Sequence, residues 1–227
     1  MKRIILGLTI AAALFSACDD DEVVEVKDYG LKTFEANLDF DSEAPHGEVQ
    51  YKQQTYFAFG SETPVAIGNY NTETWTEFYL LEDSSDYNVT TDVEGWDLLA
   101  SFYTEELVDE GEVVPYGVTG VLINTANNIQ VAKMEYTDSE EETVISEAFA
   151  ALTLADLPSS LVYSSEINAI GHTWKSFSLS QMMYTVNSNW FYILKMQNGD
   201  TYKLRFVGFY GTSTSDRVVK FEYQLMQ

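Results

Sequence analysis

The sequence predicts an all-β fold, mainly antiparallel sheet, with one short appended α-helix. Three observations predict it. Fifteen Tyr, thirteen Phe and four Trp load the chain with residues that favour strands. Near the C-terminus, Trp190–Met196 and Tyr202–Tyr210 flank an Asn198-Gly199 pair, the strongest short-range hairpin signal, and one that points to a type I′ turn. Helical spacing stands out in one stretch, around residues 139–152.

From the N-terminus, Met1 to Ala17 reads as a targeting segment. Lys2 and Arg3 form a positive start, Ile4 to Phe15 an apolar run too short to span a bilayer, and Ser16-Ala17 a pair of small residues before Cys18. That pattern predicts a lipidated Cys18, with residues 18–28 as an acidic tether that opens with Asp19-Asp20-Asp21-Glu22. Cys18 is the only cysteine, so no internal disulfide forms.

An edge strand is expected near Gly30–Phe40, then a loop over Asp41–Gly47 with Pro45 and His46. Tyr51–Phe59, Val65–Tyr70, Thr74–Leu81 and Trp96–Tyr103 read as strands. Asp83–Asp86 and Glu105–Glu112 read as charged loops, and Gly117–Asn124 with Asn128–Tyr136 as a hairpin around Asn127-Asn128. Ser139 and Glu142 have the spacing of a capping box, with Glu140 and Glu141 in the first turn, and Ile145, Ala148, Phe149 and Leu152 form one apolar helix face. Pro158 stops any continuation. In Tyr202–Tyr210, Tyr202, Leu204, Phe206 and Tyr210 take one face and Lys203 and Arg205 the other, the pattern of a half-buried strand with its charges toward solvent. In the last strand Val219, Phe221, Tyr223 and Leu225 point inward, with Lys220, Glu222 and Gln224 outward.

The formal charge of −24, or −26 after loss of residues 1–17, disfavours nucleic acid and anionic lipid as partner surfaces. The charge is uneven. Residues 174–227 hold six basic residues (Lys175, Lys195, Lys203, Arg205, Arg217, Lys220) against three acidic. That excess either receives an anionic group or pairs with acids on neighbouring strands. Two histidines, His46 and His172, in no metal-site spacing, and no nucleophile or phosphate-loop motif argue for a binding protein rather than an enzyme.

The Trp174-Lys-Ser-Phe177 opening, the polar turn after it, the aromatic strand, Asn198-Gly-Asp-Thr-Tyr-Lys-Leu-Arg-Phe206 and Phe221-Glu-Tyr223 resemble the C-terminal half of the HmuY family. Thr55–Gly60, Gly95–Tyr103 and Gly117–Val121 continue the resemblance upstream, so that residues 29–227 are read as one HmuY-like β domain. The resemblance implies a Bacteroidetes-type surface lipoprotein of the outer membrane that binds haem, or a related porphyrin, and hands it to a TonB-dependent receptor. The acidic run after Cys18 resembles the export signal of such lipoproteins. In the founding members histidines hold the iron, one of them in the turn after the Trp. Here that turn, Ser178–Tyr184, has no histidine and carries Met182 and Met183, which become the expected haem ligands. His172, Met134 and, more weakly, Tyr184 are the other candidates, and Lys175 and Lys195 are the nearest bases for the propionates. Sulfur ligation would make binding tighter under reducing conditions and nearly independent of pH. The competing expectation is a β-rich surface module without haem that binds protein or glycan through Trp75, Trp174 and Trp190.

Overall fold

The computed structural model describes residues 27–45, 49–81, 91–109 and 111–227. The targeting segment, Cys18, most of the acidic tether, His46 and Asp83–Asp86 lie outside the described residues. The first sheet is fully antiparallel: β1 (Lys32–Asn37), β12 (Arg217–Leu225), β11 (Thr201–Tyr210), β10 (Trp190–Lys195) and β7 (Gln130–Glu135), in that spatial order. The second sheet places β3 (Ala66–Asn69), β2 (Gln53–Phe57), β5 (Leu98–Asp109) and β6 (Glu112–Ile123) side by side, also antiparallel. The short β4 (Tyr79–Leu80) runs parallel to β5, on the edge that β2 leaves free. A separate hairpin joins β8 (Lys175–Ser178) and β9 (Met183–Val186).

The alternation read in β12 is what builds the core. Val219, Phe221 and Tyr223 interleave with Phe34, Phe57, Leu98, Val121, Tyr192 and Phe206, so both sheets bury one face against each other. Trp174 is fully buried there and stacks on Phe206 at 4.2 Å. Burial of each such side chain contributes about 1.5–3 kcal/mol. The outer face of the second sheet carries its own cluster around Tyr56, Phe78, Trp96 and Leu99.

The helix α1 (Glu142–Ala151) covers the outer face of the first sheet, with Ile145 and Phe149 on Phe191. This corrects the reading of Lys203 and Arg205 as a solvent face: both are buried beneath α1. Lys203 Nζ donates to the carbonyls of Phe149 (2.6 Å), Ala150 (2.8 Å) and Leu152 (2.8 Å), which satisfies the helix C-terminus and sets a cation against its negative dipole end. Arg205 bridges Glu142 in the first turn and Glu222 on β12, at 2.8 Å each. The capping box does not form. Glu142 is taken by Arg205, and the Ser139 hydroxyl accepts from Glu141 N–H at 3.0 Å instead. Glu140 and Glu141 accordingly precede the helix, and Glu142 is the acid of its first turn.

Three further expectations are corrected. Glu105–Asp109 and Glu112 are strand, not loop: β5 and β6 pair from Leu98–Ile123 out to Asp109–Glu112, a ribbon that runs well past the end of β2. Glu105-Glu106, Asp109 and Glu112 interrupt the apolar residues of this ribbon and so left no continuous apolar signal. β6 and β7 do not form a hairpin, because the turn at Asn127-Asn128 carries the chain from one sheet to the other. Asn124 and Asn127 hold that crossing by donating to Trp96 O, and Asn127 also to Asp97. The β10–β11 hairpin exists, but its turn is not type I′. Gly199 alone has positive φ (88°), Gly199 N–H donates to Met196 O and Met196 N–H to Asp200 O, which is a type I turn closed by a glycine bulge.

Candidate functional site

The strand registers give the molecule two distinct ends. At one, the chain enters at Lys27–Lys32, beside the 196–200 turn and the end of β12. At the other lie the β11–β12 turn, the β8–β9 hairpin and the protruding β5–β6 ribbon. The candidate site is at this second end. The hairpin is fastened to it by Tyr184, whose N–H donates to the Tyr210 hydroxyl at 2.8 Å and whose ring meets Phe177, across from it on β8, and Phe209. Irregular register at Gly208 and Tyr210 bends β11 where the hairpin seats.

A chamber of about 70 Å³ sits beneath the hairpin, lined by Tyr51, Phe102, Tyr116, Gly117, Val118, Thr119, His172, Lys175 and Tyr184. Two glycine approaches make it. A Cβ on Gly117 would lie 2.3 Å from the Phe102 ring, so only glycine lets that ring lie across β6. Gly171, at φ +65°, exchanges both backbone hydrogen bonds with Val121 at 3.0 Å, and a Cβ on Gly120 would meet Gly171 O at 2.4 Å. That contact sets His172 at the edge of β6. Its Nδ1 donates to Glu105 Oε1, and Asn168 donates to Oε2 at 3.2 Å. Burial pushes the Glu105 carboxyl up, but the bonds from His172 and Asn168 outweigh it and hold the group below its usual value. With Nδ1 fixed by a carboxylate, Nε2 has no protein partner among the described residues. This is the arrangement in which histidine serves as a metal ligand.

Lys175 is the chamber's buried cation, 8% exposed. Its Nζ donates to Thr119 O and lies 4.4 Å from the Trp174 ring, 4.8 Å from Phe209 and 5.4 Å from Tyr184. Burial pulls its pKa down to about 7, against a smaller upward pull from Glu105.

The profile of the HmuY protein family matches residues 50–223. The chain belongs to the HmuY family. Solved structures with a similar fold include a putative HmuY-like heme-binding protein from Bacteroides vulgatus, at 15% identity, TM-score 0.42, covering 86% of this chain and 92% of that one. An apo HmuY analog from Tannerella forsythia matches at 11% identity, TM-score 0.43, covering 89% and 99%. A putative lipoprotein from Bacteroides fragilis matches at 14% identity, TM-score 0.43, covering 86% and 89%. No curated protein sequence matches this chain.

Within this HmuY-family chain, the sequence-derived candidates divide. Met182 and Met183 sit together at the hairpin tip, 71% and 36% exposed. Met182 adopts φ 52°, a left-handed conformation that an unbranched apolar residue gains nothing by holding. His172, Lys175 and Tyr184 meet in the chamber. Met134 is separated from them, packed beneath α1 against the Ile145–Phe149–Phe191 cluster. Lys195 is at the other end of its sheet, opposite Thr201 and Gln130, with its Nζ over Tyr163 at 3.9 Å. The glycan platforms are also dispersed: Trp174 is in the core, Trp190 lies under Lys133 at 3.5 Å, and Trp75 packs edge-on to Tyr70. Sequence reasoning missed Glu105, Thr119, Phe102 and the glycine pairs. The Gly117-Val-Thr-Gly-Val121 spacing was their one visible trace.

Among the described residues no helix is long and apolar enough to cross a membrane, and no group of three His, Cys, Asp or Glu is placed to hold a metal ion. A donor set for iron carried inside a porphyrin needs no such group. It needs one or two axial donors and apolar walls. At this end the chamber holds His172 Nε2 and the rings of Tyr51, Phe102, Tyr116 and Tyr184, and the hairpin that carries Tyr184 bears Phe177 and the exposed thioethers of Met182 and Met183. The chamber is far below the roughly 300–1,000 Å³ of a pocket that encloses a cofactor. It has room for a small group, not for a ring. The exposed apolar residues around it, Leu179, Phe177, Tyr116, Val113 and Val108, supply the surface on which a ring would lie.

Proposed function

We propose that this HmuY-family chain is a lipid-anchored carrier on the cell surface. In this reading it binds haem or a related porphyrin between the β8–β9 hairpin and the β5–β6 ribbon and passes it to an outer-membrane uptake system. It acts by binding and release, not by catalysis. The observation that carries the reading is His172, held by Glu105 with no partner for Nε2 among the described residues, in an aromatic chamber next to a hairpin with two exposed thioethers at its tip.

The residues have separate tasks. His172 offers nitrogen to the iron, and Met183 or Met182 offers sulfur from the hairpin. Glu105 and Asn168 hold the imidazole, and Tyr184 holds the hairpin through Tyr210. The family resemblance put sulfur ligation first, with His172 among the other candidates, and the Glu105 contact is what favours His172 in this reading. A lipid at Cys18 would anchor the end where Lys27 enters. The chamber would then face away from the membrane, toward haem sources and a receptor.

The test is a titration of the soluble domain with haemin, oxidised and then reduced with dithionite, for the parent, His172→Ala and Met182→Ala/Met183→Ala proteins. Each variant is expected to weaken binding at least tenfold and to change the Soret band. Two variants that bind as the parent does would remove this site from consideration.

A further inference from the structure

The ammonium of Lys175 is nine-tenths buried, yet among the described residues no carboxylate is bonded to it. Its one hydrogen-bond partner among the described residues is Thr119 O, which leaves two of its three N–H groups unused. Its nearest acid, Glu105, is already occupied by His172 and Asn168. A buried charge without a counter-ion is costly, and folded proteins seldom keep one. Aromatic faces at 4.4–5.4 Å soften that cost without supplying an acceptor. The space next to the ammonium is about 70 Å³, roughly the room of two water molecules. Its walls are otherwise rings, glycine and valine, with Tyr116 and His172 reaching the surface.

We propose that the chamber is a carboxylate subsite in which Lys175 is the counter-ion for one acidic side arm of the bound ligand. The inference rests on the porphyrin reading and adds to it the ligand class: a macrocycle with at least one free carboxylate, the arm entering the chamber while the ring stays outside. A flat two-oxygen group accepts from the two unused N–H groups, where a neutral ester has no charge to offer and adds an alkyl group that the space does not hold. Lys195, on the far side of the sheet, has no part in it.

The experiment compares haemin with haemin dimethyl ester on the parent protein and on Lys175→Met, by absorbance titration. The parent is expected to bind the diacid at least tenfold more tightly than the diester. Lys175→Met is expected to bind both at the diester's level. Equal binding of the two by the parent overturns the subsite while the porphyrin reading stands, and this arm needs no variant to fold. A preference that survives in Lys175→Met overturns it as well. No binding of either compound by the parent defeats the porphyrin reading and the subsite together.

Discussion

Replacing Lys175 by Met should flatten a rise of stability with pH. In the folded chain burial pulls this lysine to about 7, while in the unfolded chain it titrates near 10.5. The folded state therefore binds fewer protons than the unfolded state between those values, so stability is lowest below about pH 7 and climbs as pH rises toward 10.5. Each unit of that gap corresponds to about 1.4 kcal/mol, so between pH 6 and pH 9 the gain is on the order of 2–3 kcal/mol. For a domain of this size that is roughly 5–10 °C in Tm. The assay is urea or thermal unfolding of residues 27–227 at pH 6, 7.5 and 9, for the parent and Lys175→Met. Other titrating groups, Lys203 among them, are shared by the two proteins and cancel in the difference. The parent should gain on the variant toward low proton concentration by the amount above. Parallel pH profiles would show that Lys175 is not a desolvated ammonium, and the argument for its missing counter-ion would fall with it.

Met182→Gly should stabilise the apo protein by about 0.5–1 kcal/mol in urea unfolding, because glycine takes φ 52° without the left-handed penalty, and should weaken haemin binding if this sulfur is used. Gly120→Ala should cost about 3 kcal/mol or more, since its Cβ would press on the backbone carbonyl of Gly171; the accompanying displacement of His172 would appear as lost haemin affinity. Cys18→Ala should move the protein from the membrane fraction to the soluble one or leave it unprocessed, and fractionation identical to the parent would contradict lipidation.

The core was legible wherever one strand face is buried and the other is not. Val219, Phe221, Tyr223 and Leu225 show this, and their alternation alone gives the face and the register. It failed where a face that looks polar is covered by another element. Lys203 and Arg205 carry the charges of a solvated face, but α1 lies over them and uses those charges for its own ends. It also failed at β5–β6, where a protruding ribbon has no core to impose a pattern, and at Asn127-Asn128, where the same turn residues serve a sheet crossing as well as a hairpin. The hairpin methionines could be found because they stand where the family resemblance expects a ligand. The chamber behind them could not, because Glu105, Thr119 and Gly171 are brought to His172, Lys175 and Val121 by contacts between residues far apart in sequence, which no local spacing encodes.

The central claim is that this end of the domain binds a porphyrin, and the most direct measurement is an absorbance titration of residues 27–227 with haemin. The expected result is a saturable Soret band at one haemin per chain, shifted on reduction with dithionite and changed, with binding at least tenfold weaker, in His172→Ala. A spectrum equal to that of haemin in buffer, at protein concentrations up to 100 μM, would contradict it.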